Sequence, residues 1–91
     1  MSVKIELHPF FYQFIADNQR VVEVDGETVG ECLARLVALF PQLKARLFDR
    51  KGTLFTYLNI YVNGENAYPD ELGQPVKDGD QIHILPITIG G

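Results

Sequence analysis

The feature that most constrains the fold is one helical stripe set among alternating segments. Val29, Cys32, Leu33, Leu36, Val37 and Phe40 recur at i, i+3, i+4, i+7, i+8 and i+11, the spacing of a single apolar helix face. Thr28 with Glu31 three residues on fits a capping box, in which each side chain accepts from the other's free backbone N–H. Pro41 stops the helix, because its ring disfavours helical geometry at Phe40. A further short turn, Gln42 to Phe48, offers Leu43 and Leu47 to the same core.

Around this helix the chain alternates. Val3, Ile5 and Leu7 interleave with Lys4, Glu6 and His8, a strand with one buried face that ends at Pro9. Phe10, Phe11, Tyr12 and Phe14 follow, dense for a loop and expected to cap the open end of the core. Asp17-Asn18-Gln19 reads as a turn, and Arg20 to Val24 as a second strand antiparallel to the first. Leu58, Ile60 and Val62 alternate with Asn59, Tyr61 and Asn63. Asn63-Gly64 then signals a hairpin, because both residues tolerate positive φ, and Asn66 to Tyr68 reads as a short edge strand. Leu72 and Val76 are expected to plug the space under a loop. Lys77-Asp78-Gly79-Asp80 is a turn, and Gln81 to Leu85 the last strand, with Ile82 and Ile84 facing inward.

Ninety-one residues support one core and no second domain. The order β-β-α-short helix-β-β-β satisfies the two-layer rule for such a core. The expected fold is α+β: a β-grasp, ubiquitin-like roll with a mixed sheet of about five strands, one main helix and a short second one. Its first and last strands lie parallel in the centre, which suits the apolar last strand. Residues 1–86 form the domain and 87–91 a flexible C-terminal tail.

Charge and composition exclude several functions. The net charge is −4 and the eight Lys and Arg are scattered, with Arg50-Lys51 the only adjacent pair, so no phosphate-tracking footprint is legible and nucleic acid is a poor partner. The one cysteine, Cys32, cannot form an internal disulfide. No apolar run approaches the ~20 residues of a membrane span. The first residues alternate where a secretory signal would be continuously apolar, so the cytoplasm is the expected compartment. His8 and His83 are isolated, read as surface strand residues, and no Cys/His cluster has metal spacing. No phosphate loop or nucleophile elbow is present. Any chemistry uses something unusual or belongs to a partner.

Two blocks carry a resemblance: Leu58-Asn59-Ile60-Tyr61-Val62-Asn63-Gly64-Glu65, and the final run from Asp78-Gly79-Asp80 through Ile84-Leu85-Pro86 to Ile89-Gly90-Gly91. Together they resemble the ThiS/MoaD sulfur-carrier family, and the Asn-Ile-Tyr-Val-Asn and Ile-Leu-Pro blocks look closest to its CysO-type branch, which serves cysteine biosynthesis. The resemblance implies a co-substrate rather than an enzyme. A ubiquitin-activating-type adenylyltransferase adenylates the terminal carboxylate of Gly91, sulfur replaces AMP, and the resulting thiocarboxylate donates sulfur to a biosynthetic enzyme. No cofactor is bound by the carrier itself; ATP and a sulfur donor are used by the partner enzyme. The free carrier is expected to be a monomer, and an extended precursor would need a protease, a metalloprotease in the implied scheme.

The terminal glycines fit that chemistry. Lacking Cβ, Gly90 and Gly91 can thread a narrow channel, with Ile89 and Thr88 following. Two terminal glycines arise by chance in roughly 0.5% of chains at ordinary glycine usage of ~7%. By alternation the solvent face of the sheet carries Lys4, Glu6, Asn59, Tyr61, Gln81, His83 and Leu85; Tyr61, His83 and Leu85, near the tail, are the expected partner-docking residues. Cys32, on the apolar stripe, reads as an inert small hydrophobe rather than a sulfur relay, and Asp78 and Asp80 as turn formers. Three other readings stand beside the carrier: a protein modifier joined to lysines through Gly91, the small subunit of molybdopterin synthase, and an interaction module with an inert tail. The Ile87-Thr88-Ile89 ending departs from the Pro-Val-Ser type of the synthase branch.

Overall fold

The computed structural model describes residues 2–15 and 20–87. Within them the elements run β1 (Ser2–Leu7), a 3-10 turn (Pro9–Phe14), β2 (Val21–Asp25), α1 (Val29–Leu39), a second 3-10 turn (Pro41–Leu43), α2 (Lys44–Leu47), β3 (Leu58–Val62), β4 (Glu65–Asn66) and β5 (Gln81–Pro86). The strands form one mixed sheet in the order β2-β1-β5-β3-β4. β1 and β5 are parallel, with Ile5 opposite Ile82 and Leu7 opposite Ile84; the β1–β2 and β3–β5 pairs are antiparallel. This is the β-grasp roll that the element order implies.

The core lies between the sheet and α1. Ile5, Ile60, Ile82 and Ile84 from the sheet, Leu33 and Leu36 from the helix, and Leu43 and Leu47 from the segment after it are all inaccessible to solvent. Each such side chain contributes about 1.5–3 kcal/mol when removed from water. Phe11 is the one aromatic residue of the Phe10–Phe14 group that is fully buried, with Tyr12 and Phe14 packed partly against the core; Phe10 meets the Phe11 ring edge-on, at 5.1 Å. Of the two expected plugs, Val76 is buried and Leu72 packs at the margin of the core. His8 lies just beyond β1, where its Nδ1 accepts from the Phe10 N–H at 3.0 Å and caps the turn. The expected Asp17-Asn18-Gln19 turn lies outside the described residues.

The start of α1 differs from the expected box in one partner. The Thr28 hydroxyl accepts from the Glu31 N–H at 3.1 Å, but Glu31 Oε1 accepts from the N–H of Glu27 at 2.9 Å, one residue before the cap. The next two free N–H groups are taken by a distant loop: Val29 donates to the Gln74 carbonyl at 2.9 Å and Gly30 to that of Leu72 at 3.0 Å. That close approach explains the glycine, since a Cβ at position 30 would stand 3.0 Å from the Leu72 oxygen. At the other end Phe40 leaves helical geometry at φ −128°, ψ 80°, as the following proline requires.

The hairpin after β3 is a two-residue turn with Asn63 at φ 50° and Gly64 at φ 86°, closing on the Val62–Glu65 pair. The edge strand is therefore Glu65–Asn66 rather than Asn66 to Tyr68. A two-residue turn restores pairing at once, and the ladder then ends quickly: the Ala67 N–H still reaches the Ile60 carbonyl at 2.8 Å, while Tyr68 precedes Pro69 through a cis peptide bond.

Asn63 also locks the hairpin to the start of β5. Its side-chain N–H donates to Asp80 Oδ1 and its side-chain oxygen accepts from the Gln81 N–H, both at 3.0 Å. Asp80 Oδ2 accepts from the Lys77 N–H at 2.9 Å. Asp80 is only 8% exposed. These donors, the Asn63 amide first and the Lys77 backbone second, hold its carboxyl below the usual carboxylate range. A depressed folded-state pKa stabilises the fold above the unfolded value of about 3.9, and that contribution is lost as pH falls through the folded value. Asp80→Asn is expected to lower the melting temperature at neutral pH, with the gap to the parent chain narrowing below about pH 4. Thermal melts between neutral and strongly acidic pH check this.

Candidate functional site

β5 sits between β1 and β3 and stays paired to its end. Pro86 is opposite Leu58, and the Ile87 N–H donates to the Tyr57 carbonyl at 2.6 Å, so pairing continues one residue past the proline. Thr88, Ile89, Gly90 and Gly91, where the charging and threading chemistry is expected, lie outside the described residues, as does all of the tail beyond Ile87.

The three expected docking residues share one face. His83 and Leu85 are two apart on β5, and Tyr61 is directly across from His83 on β3. All three are half-buried, while Ile82 and Ile84 between them face the core with no exposure. Glu6 joins this face from β1, opposite His83. Its carboxylate lies 3.0 Å from His83 Nε2 and accepts from Gln81 Nε2 at 2.9 Å. Both partners of the His83–Glu6 pair are about 40% exposed. A contact so wet contributes little to stability; what it does is orient the imidazole beside Tyr61. The face offers a ring, an imidazole and an aliphatic side chain in one band leading toward Pro86.

No group of three or more His, Cys, Asp or Glu residues that could hold a metal exists among the described residues, nor any described helix long and apolar enough to cross a membrane. Cys32 is inaccessible. Burial chiefly, and then the nearby charges of Glu31 and Asp25, push its thiol pKa up, the opposite of what a nucleophilic thiolate requires. Native protein is expected to leave Cys32 unmodified by a thiol-reactive dye over a time in which denatured protein reacts fully; labelling followed by mass spectrometry checks this.

Two further surface features stand beside this face. A groove of about 560 Å³ is lined by Leu54, Phe55, Asn59, Tyr68 and Pro69 and includes Ile87 at one end. Phe55 also walls a second, shallower depression, which it shares with Lys44, Ala45, Phe48, Asp49 and Arg50. The basic residues are therefore not scattered. Half of them stand in residues 44–51, a run that the sequence already carries and that α2 and its loop bring to one exposed surface.

Comparison with known proteins places this architecture. The model of the ThiS family matches residues 11–91. The chain is 39% identical over 71 residues to small archaeal modifier protein 1 of Haloferax volcanii, covering 77% of this chain and 78% of that one. It is 36% identical over 77 residues to the sulfur carrier protein CysO of Mycobacterium tuberculosis, covering 81% and 83%. The solved Amycolatopsis orientalis BexX/CysO complex contains a chain that superposes with a TM-score of 0.85 at 31% identity, over 98% of this chain and 99% of that one. The modifier and CysO branches match nearly equally, so the expected CysO-type branch is not singled out. With the β-grasp body and a family match that runs through the final glycines, the chain belongs to the ThiS family of small ubiquitin-like sulfur carriers, proteins that are acted upon rather than catalytic.

Proposed function

We propose that Gly91 is the residue this protein exists to present. A Gly91 carboxylate oxygen attacks the α-phosphorus of ATP on an activating enzyme, pyrophosphate leaves, and an acyl adenylate forms. A sulfur nucleophile then attacks the acyl carbon, AMP leaves, and the terminus becomes a thiocarboxylate that serves as a sulfur donor. The partner supplies positioning and charge stabilisation. Tyr61, His83 and Leu85 give that enzyme a surface to grip while residues 88–91 reach its nucleotide. The observation that carries this reading is the family match over residues 11–91, which takes in Gly90-Gly91. The occurrence of a CysO relative in complex with BexX supports a protein partner for this body.

The activated terminus has a second fate, attack by a lysine amine to give an isopeptide bond. The matches to two small archaeal modifier proteins of Haloferax volcanii, 1 and 3, support that fate over a role confined to cysteine biosynthesis. Incubation with ATP, sulfide and the adenylyltransferase of the same genome, followed by intact-mass spectrometry, is expected to show one oxygen-to-sulfur exchange at Gly91. An unchanged mass with an active enzyme rejects the carrier. Blotting of cell extract for tail-linked conjugates is expected to show a ladder if the modifier fate operates and only the free chain if it does not.

A further inference from the structure

We propose that the basic, aromatic-walled depression beside the exit of β5 receives an acidic segment of the activating enzyme, an inference that rests on the carrier reading above. Lys44, Arg46, Arg50 and Lys51 stand against the single carboxylate of Asp49, a net charge of +3 in eight residues. The rest of the chain has four Lys and Arg against eleven Asp and Glu, a net charge of −7. The molecule is thus an acidic body with one cationic spot.

All four cations are exposed. Asp49 lines the depression with Lys44 and Arg50 but makes no ion pair with the described cations: its Oδ1 accepts from the Lys51 and Thr53 N–H groups at 2.8 and 2.9 Å, so cations outnumber it there two to one. Arg46 places its guanidinium 4.5 Å over the Phe14 ring, whereas Lys44, Arg50 and Lys51 have no ion-pair partner among the described residues. Between Lys44 and Arg50 the depression is walled by Ala45, Phe48 and Phe55. Cationic rim and apolar floor together fit a peptide segment in which carboxylates flank an apolar side chain.

Position gives the spot its purpose. Tyr57 ties the basic segment to the chain exit: its hydroxyl donates to the Arg46 carbonyl at 2.6 Å and its own carbonyl accepts from the Ile87 N–H. Phe55 stacks on Tyr57 at 5.3 Å and walls both the depression and the groove that holds Ile87. An acidic segment captured here would align the exit with the enzyme's channel, and charges at the rim of an interface act mainly on the rate of encounter. A polynucleotide is the poorer occupant, because it needs an extended cationic track and would lie against a body of charge −7.

The test uses ATP–pyrophosphate exchange by the activating enzyme at saturating ATP, with the carrier concentration varied. Lys44→Glu, Arg50→Glu and Lys51→Glu combined are expected to raise the KM for carrier about tenfold or more while kcat stays nearly constant. The charge-preserving set Lys44→Arg, Arg50→Lys and Lys51→Arg is expected to restore KM. With the parent chain, KM should climb with ionic strength; with a folded reversed variant it should not. An unchanged KM in a folded reversed variant overturns the proposal. So does a parent KM indifferent to salt, a readout that needs no variant. A gel shift of a short RNA by the parent chain that the reversed variant loses assigns the spot to nucleic acid and overturns it as well. Exchange that proceeds without regard to these charges defeats this proposal alone, whereas no exchange with the parent chain defeats the carrier reading and this with it.

Discussion

Removal of Gly90 and Gly91 abolishes the oxygen-to-sulfur exchange and any conjugate ladder while leaving the melting temperature unchanged: that is the largest functional effect expected of any two residues here. The split follows from where the buried groups are. Among the described residues the core runs from Val3 to Ile84 and draws nothing from beyond β5. The docking band on Tyr61, His83 and Leu85 also survives the deletion, so the shortened chain should still bind the activating enzyme and compete with the full one. A shortened chain that is inactive but does not compete would place docking on the tail instead. Gly90→Val keeps the terminal carboxylate and tests threading separately; a Cβ with two methyl groups should cut kcat/KM sharply if the channel admits only a bare backbone. Intact mass, competition kinetics and a thermal melt together check all of this.

The largest structural effect is expected at Ile84, and its neighbour gives the control. Ile84 is inaccessible, stands opposite Leu7 on one side and Ile60 on the other, and belongs to the middle strand of the sheet. Ile84→Ala leaves a cavity lined from both neighbouring strands and should cost about 2–5 kcal/mol. A domain of this length has about 5–14 kcal/mol in all, so the melting temperature should fall by roughly 10–25 °C. Leu85→Asp, one residue on and facing the other way, should stay within about 1 kcal/mol of the parent chain yet raise the KM for the carrier in the activating reaction. Denaturant unfolding and exchange kinetics on the two variants form a double dissociation. A Leu85→Asp chain that is activated normally would remove that residue from the docking face.

Period and punctuation made most of this fold legible. The stripe from Val29 to Phe40, the stop at Pro41 and the alternation of Leu58, Ile60 and Val62 each report a local physical constraint, and each is found where its residues put it. The Asn63-Gly64 turn was equally readable, but the edge strand slipped by a residue, because a strand of two residues has too little pattern to set its own register. What could not be read was long-range pairing. The N–H groups of Val29 and Gly30 with the 72–76 loop, and Asp80 with Asn63, join parts of the chain that only the fold brings together. The same holds for the site. Tyr61, His83 and Leu85 followed from alternation, and the run of four basic residues in 44–51 was there to be counted; what needed the fold was its meeting with Phe55, seven and more residues from Phe48 and Lys44 in the chain.

The parallel pairing of β1 with β5 bears on how the molecule is made. Its central strand comes after the other described strands in chain order, so until β5 is made β2-β1 and β3-β4 have no shared partner to join them. A chain interrupted before Gln81 has neither a closed sheet nor terminal glycines. Translation thus acts as its own inspector: an unfinished product lacks the shape that an enzyme would hold and the handle that it would charge, and the two are lost together.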